Sequence, residues 1–153
     1  MADDHYYDVT VDWATGRKGT MTSEVLETAI DVATPPQFAK GVEGVWSPEH
    51  LFVAAVNSCL MTTFLAIAEN SKFVYKGFTS KAVGKLELVD GKYIMSEITL
   101  MPTVIITNAL DGEKAIKLLR KSEAACLISN SIKSKIILEP TVKVFLTDTT
   151  EVK

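Results

Sequence analysis

The chain has 153 residues, 23% of them charged and 47% hydrophobic, a composition that fits one folded domain and shows no disordered or fibrous bias. A net charge of -3, a pI near 5.4 and no run of Lys or Arg longer than two leave no electrostatic footprint for a nucleic-acid backbone. The opening residues Met1-Ala2-Asp3-Asp4-His5 are acidic where a secretory signal needs a basic and then an apolar region. A cytoplasmic location is therefore expected, and two cysteines in such a compartment are rarely a structural staple.

In chain order, His5 to Trp13 alternates, with Tyr7, Val9, Val11 and Trp13 on one face, the period-2 pattern of a half-buried strand. Thr15-Gly16-Arg17-Lys18-Gly19 reads as a turn. Residues of high β-propensity resume from Thr20 to Ala33 and stop at Thr34-Pro35-Pro36, because proline cannot donate to a ladder and disfavours helix before it. A loop with Gly41 and Gly44 follows.

Ser47-Pro48-Glu49 is a helix start: an oxygen to cap, proline at the first helical position and a carboxylate favoured by the dipole. The helix is predicted to run to about Asn70. From Leu51 to Ala68 it carries eighteen residues without a charge, apolar almost all the way round, as in a buried helix or a membrane span. Asn57, Ser58, Thr62 and Thr63 in mid-segment, with no basic flank or aromatic belt, favour a core helix and no membrane association.

Phe73 to Leu88 and Tyr93 to Ile106 form a predicted antiparallel hairpin joined by Val89-Asp90-Gly91-Lys92, whose Asp-Gly pair suits a tight turn. Asp111 is placed to cap a second helix running through Glu113, Ile116 and Leu119 to about Ala125 and arriving at Cys126. A short helical turn around Ser129 to Lys133 and a strand from Thr141 to Leu146 complete the pattern. The order predicts an α+β fold, an antiparallel sheet packed on a long buried central helix and a second helix, with residues 1–153 as a single domain. So apolar a helix in so small a domain needs cover on nearly every side, which a second copy would supply, and a homodimer is expected.

Two distant cysteines and two histidines, His5 and His50, with no CxxC or HxxxH spacing, do not make a metal site. No GxSxG elbow and no glycine-rich phosphate loop is present. Cys59 and Cys126 each admit two readings, inert packing or redox chemistry. Arg17 reads as a solvated turn charge and Glu49 as a dipole partner, or both serve a site. Together a guanidinium, a carboxylate and a thiol are the parts that a peroxide-reducing thiol requires. The arginine stabilises the thiolate and the carboxylate holds the planar fork.

The run from Ser47 to Leu60, with Pro48-Glu49 followed ten residues later by Ser58-Cys59, resembles the first signature of the OsmC/Ohr family of osmotically inducible and organic hydroperoxide resistance proteins. Ala124-Ala125-Cys126-Leu127-Ile128-Ser129 is similar to the second, and the likeness spans nearly the whole chain. The resemblance implies an intertwined homodimer and a thiol peroxidase in which Cys59 attacks an organic hydroperoxide and Cys126 resolves the sulfenic acid as a Cys59–Cys126 disulfide. It assigns Glu49 as the carboxylate partner and Arg17 as the activating arginine. No cofactor is implied; an external dithiol, such as a lipoylated protein, would restore the thiols. The rival reading is an OsmC-like protein that binds a hydrophobic ligand without peroxidase activity. Leu127 stands where the family usually has proline, and Asn57 and Leu60 stand where the Ohr branch has aromatic residues.

Overall fold

The computed structural model describes residues 2–146, which fall into two compact units divided between Leu51 and Phe52. In the first unit, β1 (Thr10–Thr15), β2 (Lys18–Thr22) and β3 (Ile30–Ala33) form an antiparallel sheet in that order. Gly16 opens the β1–β2 turn at φ +55, a conformation that a residue without a Cβ adopts freely. The alternating residues before Trp13 are not half-buried as expected. All of β1 is exposed, Trp13 at 78%, because β1 is an edge strand with β2 as its one neighbour. The β-prone stretch from Thr20 to Ala33 also divides into two strands, and it ends before Pro35 as expected.

The helix α1 spans Pro48–Asn70, the bounds that the capping signal and the apolar run predict. Ser47 is its cap: the His50 N–H donates to Ser47 Oγ at 3.1 Å, satisfying one of the free donors of the first turn. The remaining elements are β4 (Gly77–Val89), β5 (Lys92–Ile106), a 3-10 turn (Ala109–Asp111), α2 (Gly112–Ala125), α3 (Leu127–Asn130), β6 (Lys135–Leu138) and β7 (Thr141–Val144). Asp90 and Gly91, at φ 49 and 78, make the tight β4–β5 turn.

Three expectations are corrected here. Asp111 sits at the start of α2 but makes no side-chain cap; Asn108 Oδ1 instead accepts from the Leu110 N–H at 3.0 Å and caps the preceding 3-10 turn. The helical turn after Cys126 comes earlier, at Leu127–Asn130. The sheet is mixed rather than wholly antiparallel, since β6 and β7 both run parallel to β5 along the edge that β4 leaves open. Strand β6 has no counterpart in the sequence reading. Lys133, Ser134 and Lys135 hide its start, and Pro140, which has no N–H, separates it from β7. The Glu139 N–H still donates to the Leu100 carbonyl at 2.8 Å, so β5 carries both pieces in one register.

Strict alternation along β5 buries Ile98, Leu100, Pro102, Val104 and Ile106 on one face. Residues Val56, Leu60, Phe64 and Ala68, four apart on α1, meet that face. One cluster joins Phe64 and Ala68 to Val104, Ile106 and the buried Ala115, Leu118 and Leu119 of α2. The other joins Val56 and Leu60 to Ile98 and Leu100, with Ile128 and Ile132 packed against it. Asn57 is tied to β4, its Nδ2 donating to the Ser80 carbonyl at 2.9 Å and its Oδ1 accepting from Ser80 Oγ at 2.6 Å. By length and composition α1 could cross a membrane. Its one fully buried stripe makes it the core helix of this unit, while Met61 and Leu65 on the other side stay exposed.

Gly84 marks where β4 lies closest to α1. A Cβ there would meet Val53 Cγ2 at 2.5 Å and Met95 Cε at 2.6 Å, and a register shift follows at once between Lys85 and Leu86. Gly84→Val is expected to lower stability by about 1–3 kcal/mol through overpacking, read as a lower denaturation midpoint. An unchanged midpoint would show that the strand stands off the helix.

Candidate active site

Cys59 lies on the flank of α1 beside the fully buried stripe, in line with the half-buried Thr63 four residues on. That position follows from the helical period: Val56 and Leu60 face the sheet, and Cys59, which falls beside that arc and not within it, is left partly open. Cys59 Sγ is 3.9 Å from Thr63 Oγ1, and the Cys59 carbonyl accepts from Thr62 Oγ1 at 3.1 Å.

Cys126 occupies the corner between α2 and α3. Its φ of -66 and ψ of 114 are extended, so the chain leaves one helix and starts the next with Leu127 as the first helical residue. Proline favours that position, and the residue before a proline favours this extended geometry, so Leu127 keeps the turn. The Asn130 N–H donates to the Cys126 carbonyl at 3.0 Å and closes the short helix. The N–H groups of Leu127, Ile128 and Ser129 precede that bond and have no partner within the helix. They face the two sulfurs.

These groups make the two thiols unequal. Burial pushes the Cys59 thiol up, but the Cys126 thiol, the Ile128 N–H, the Thr63 hydroxyl and the Leu127 N–H together outweigh it and hold Cys59 below the ordinary cysteine value. Cys126 is fully buried, and that burial, reinforced by the hydrogen bond and charge of Cys59, pushes its thiol up. The Ser129 hydroxyl and N–H act against that rise without cancelling it. Both cysteines are free thiols. The pair thus combines a partly open, acidified sulfur with an enclosed one that holds its proton.

The other two expected residues belong to the first unit. Arg17 is in the β1–β2 turn and lines an open depression of about 450 Å³ with Val11, Trp13, Val32 and Pro48. Glu49 is in the first turn of α1, where its Oε1 is buried and has no hydrogen-bond partner among the described residues. The expected Arg17–Glu49 ion pair is not formed within the protomer; the ion pairs among the described residues are Lys18–Asp31 and Lys85–Glu87, each at 3.4 Å. Among the described residues no group of three or more His, Cys, Asp or Glu is placed to hold a metal ion.

Thr63, Ser129 and the N–H groups of Leu127 and Ile128 were not singled out from sequence. The first two were within reach of spacing arguments: Thr63 is four residues beyond Cys59 on a helix, and Ser129 is three beyond a residue that opens one. The backbone donors leave no trace in residue identity.

Comparison with known proteins places the chain in a family. The chain is 27% identical to the uncharacterized protein YmaD of Bacillus subtilis (strain 168) over 144 residues, covering 91% of this chain and 93% of that protein. In fold it is similar to an OsmC-like protein of unknown function from Vibrio cholerae, with a TM-score of 0.80, 24% identity and coverage of 90% of this chain and 99% of that one. It is also similar to the organic hydroperoxide resistance protein OhrB of Bacillus subtilis, with a TM-score of 0.68, 22% identity and coverage of 91% and 98%. Residues 41–141, which carry both cysteines and Glu49, match the family described as OsmC-like protein, and the chain belongs to that family.

Proposed function

We propose that this chain is a thiol peroxidase that reduces organic hydroperoxides to alcohols, with Cys59 as the attacking thiolate and Cys126 as the resolving thiol. The observation that carries the reading is the inequality of the two sulfurs: the partly exposed one is acidified and the enclosed one is not. The thiolate is the nucleophile, so the acidified and accessible sulfur reacts first. Fold likeness to an organic hydroperoxide resistance protein supports the substrate class.

In this mechanism the Cys59 thiolate attacks the terminal oxygen of the hydroperoxide and the O–O bond breaks. The alkoxide leaves with a proton as an alcohol, and Cys59 becomes a sulfenic acid. Cys126 then forms the S–S bond as the S–OH bond breaks and water departs. An external dithiol, for which a lipoylated protein is the proposed source, restores both thiols by exchange. The chain itself needs no bound cofactor for either step.

A homodimer of one OsmC-like domain per chain, working in the cytoplasm, completes the proposal. It would cover the side of α1 that carries Met61 and Leu65 and the exposed apolar residues of β1. Glu49 calls for a cation, since a buried carboxylate oxygen without a partner is costly. Arg17, brought by tertiary or cross-subunit packing, would pair with it and stabilise the Cys59 thiolate, a task for which the planar guanidinium is better suited than an ammonium.

Three outcomes are expected. With cumene or a fatty-acid hydroperoxide and dihydrolipoamide, stopped-flow measurement should show peroxide consumption that Cys59→Ser abolishes. Consumption equal in the two proteins would defeat the assignment.

Alkylation supplies the pH test. A lowered pKa means that the thiolate already forms below the ordinary cysteine range, so the Cys59 rate should rise and level off at lower pH than for a free cysteine. Cys126 should lag it at every neutral pH. Equal, slow labelling of both would favour the packing-only, ligand-binding reading.

Arg17→Ala should slow the peroxide step several-fold and raise the Cys59 pKa by about one unit, about 1.4 kcal/mol, in a folded protein. Arg17→Lys should also be impaired. An unmoved rate and pKa would return Arg17 to a solvated turn.

A further inference from the structure

Ser129 is only 8% exposed, and its Oγ is enclosed with no hydrogen-bond partner in the resting structure. A buried hydroxyl without a partner is costly, and native proteins keep few of them. The position is specific. With Cys126 as the residue that opens α3, Ser129 is the third helical residue, the place from which a side chain turns back toward the opening residue. Ile128, its neighbour, is half-buried and packed against the cluster of Val56, Leu60, Ile98 and Leu100, which fixes the orientation of this turn.

We propose that Ser129 is the positioning residue of the resolving step, its hydroxyl donating to the Cys126 thiolate as that thiolate forms and keeping the sulfur directed at Cys59. The inference rests on the peroxidase reading and adds to it the group that makes the second half of the cycle feasible. Cys126 is the harder thiol to ionise: it is fully enclosed, and burial together with Cys59 raises its pKa. Among titratable groups, Cys59 on α1 is the one that acts on it, while the Glu123 carbonyl on α2 accepts the Cys126 N–H at 3.2 Å. No lysine or arginine offsets the burial among the influences on this thiol. The Ser129 hydroxyl and N–H do, and they are the groups that lower its pKa.

The step balances without a further reagent. Cys126 gives up its proton and attacks the sulfur of the Cys59 sulfenic acid; the S–S bond forms, the S–O bond breaks, and the departing hydroxide takes up the proton as water. Ser129 keeps its own proton throughout. Its Oγ is already enclosed and holds no other partner, so it is free to turn to the sulfur that becomes charged.

The test uses the full chain with Ser129→Ala and, as the variant that retains the hydroxyl, Ser129→Thr. In the Cys59→Ser background, the ultraviolet absorbance of the thiolate is titrated to give the Cys126 midpoint. In the background with both cysteines, sulfenic acid formation and disulfide formation are followed separately after one equivalent of cumene hydroperoxide. Losing one hydrogen bond to a charged sulfur should raise the midpoint by about one unit and slow disulfide formation about tenfold relative to sulfenic acid formation. The pH profile of resolution should move up with it, and Ser129→Thr should remain within about twofold of the unmodified chain. An unmoved midpoint and resolution rate in Ser129→Ala would overturn the assignment while leaving the peroxidase reading intact. Equal losses in both variants would trace the effect to packing and also overturn it. If the unmodified chain consumes no peroxide, the peroxidase reading fails by itself, and the titration alone upholds or overturns Ser129 as the donor to Cys126.

Discussion

The packing of Ile128 and Ile132 against the apolar cluster that Val56 and Leu60 of α1 form with Ile98 and Leu100 of β5 is what draws together two cysteines distant in sequence. Full burial of such a side chain contributes about 1.5–3 kcal/mol, and the share that these two half-buried isoleucines contribute is comparable with a hydrogen bond at the sulfurs. The apolar packing sets position. It brings the α2–α3 corner against the flank of α1, and the polar consequences follow from the backbone at that corner. A helix that begins in the core presents unpaired N–H groups, and here they meet a thiol from another helix.

Opposed effects of similar origin then separate the two cysteines. Both feel desolvation, which favours the neutral thiol. Cys59 sits partly open and collects four donors, so hydrogen bonding wins. Cys126 sits fully enclosed, and Ser129, which favours its charged form, does not cancel the burial, so desolvation wins. The difference matters more than either value, because a two-thiol cycle needs one sulfur that is ready and one that waits. The two thiols already influence each other's acidity in the resting protomer.

Much of this was legible in the sequence. Ser47-Pro48-Glu49 fixed the start of α1, and Asp90-Gly91 fixed the hairpin, because both signals are local and act through backbone geometry. The alternation of β5 and the four-residue spacing on α1 were equally direct, each being a periodic pattern with a layer to face. What was lost needed neighbours. The apolar face of β1 looks like that of a half-buried strand, but burial depends on what stands opposite, and β1 is exposed along its whole length among the described residues. Strand β6 is short and opens on charged residues, so its parallel pairing with β5 is settled by the sheet edge and not by its own propensity. Cys59 and Cys126 were identified as a pair through motif resemblance, whereas their unequal acidity arises from N–H groups that no side-chain letter records.

A two-thiol peroxidase of this design requires that these two sulfurs react with each other. One equivalent of cumene hydroperoxide added to the fully reduced protein, followed by proteolysis without reductant and peptide mass spectrometry, measures that directly. The expected product is a peptide pair joined through Cys59 and Cys126 within one chain, replaced in Cys126→Ser by a Cys59 sulfenic acid that dimedone traps. Recovery of both cysteines as free thiols, or of Cys126 oxidised while Cys59 stays reduced, would contradict it.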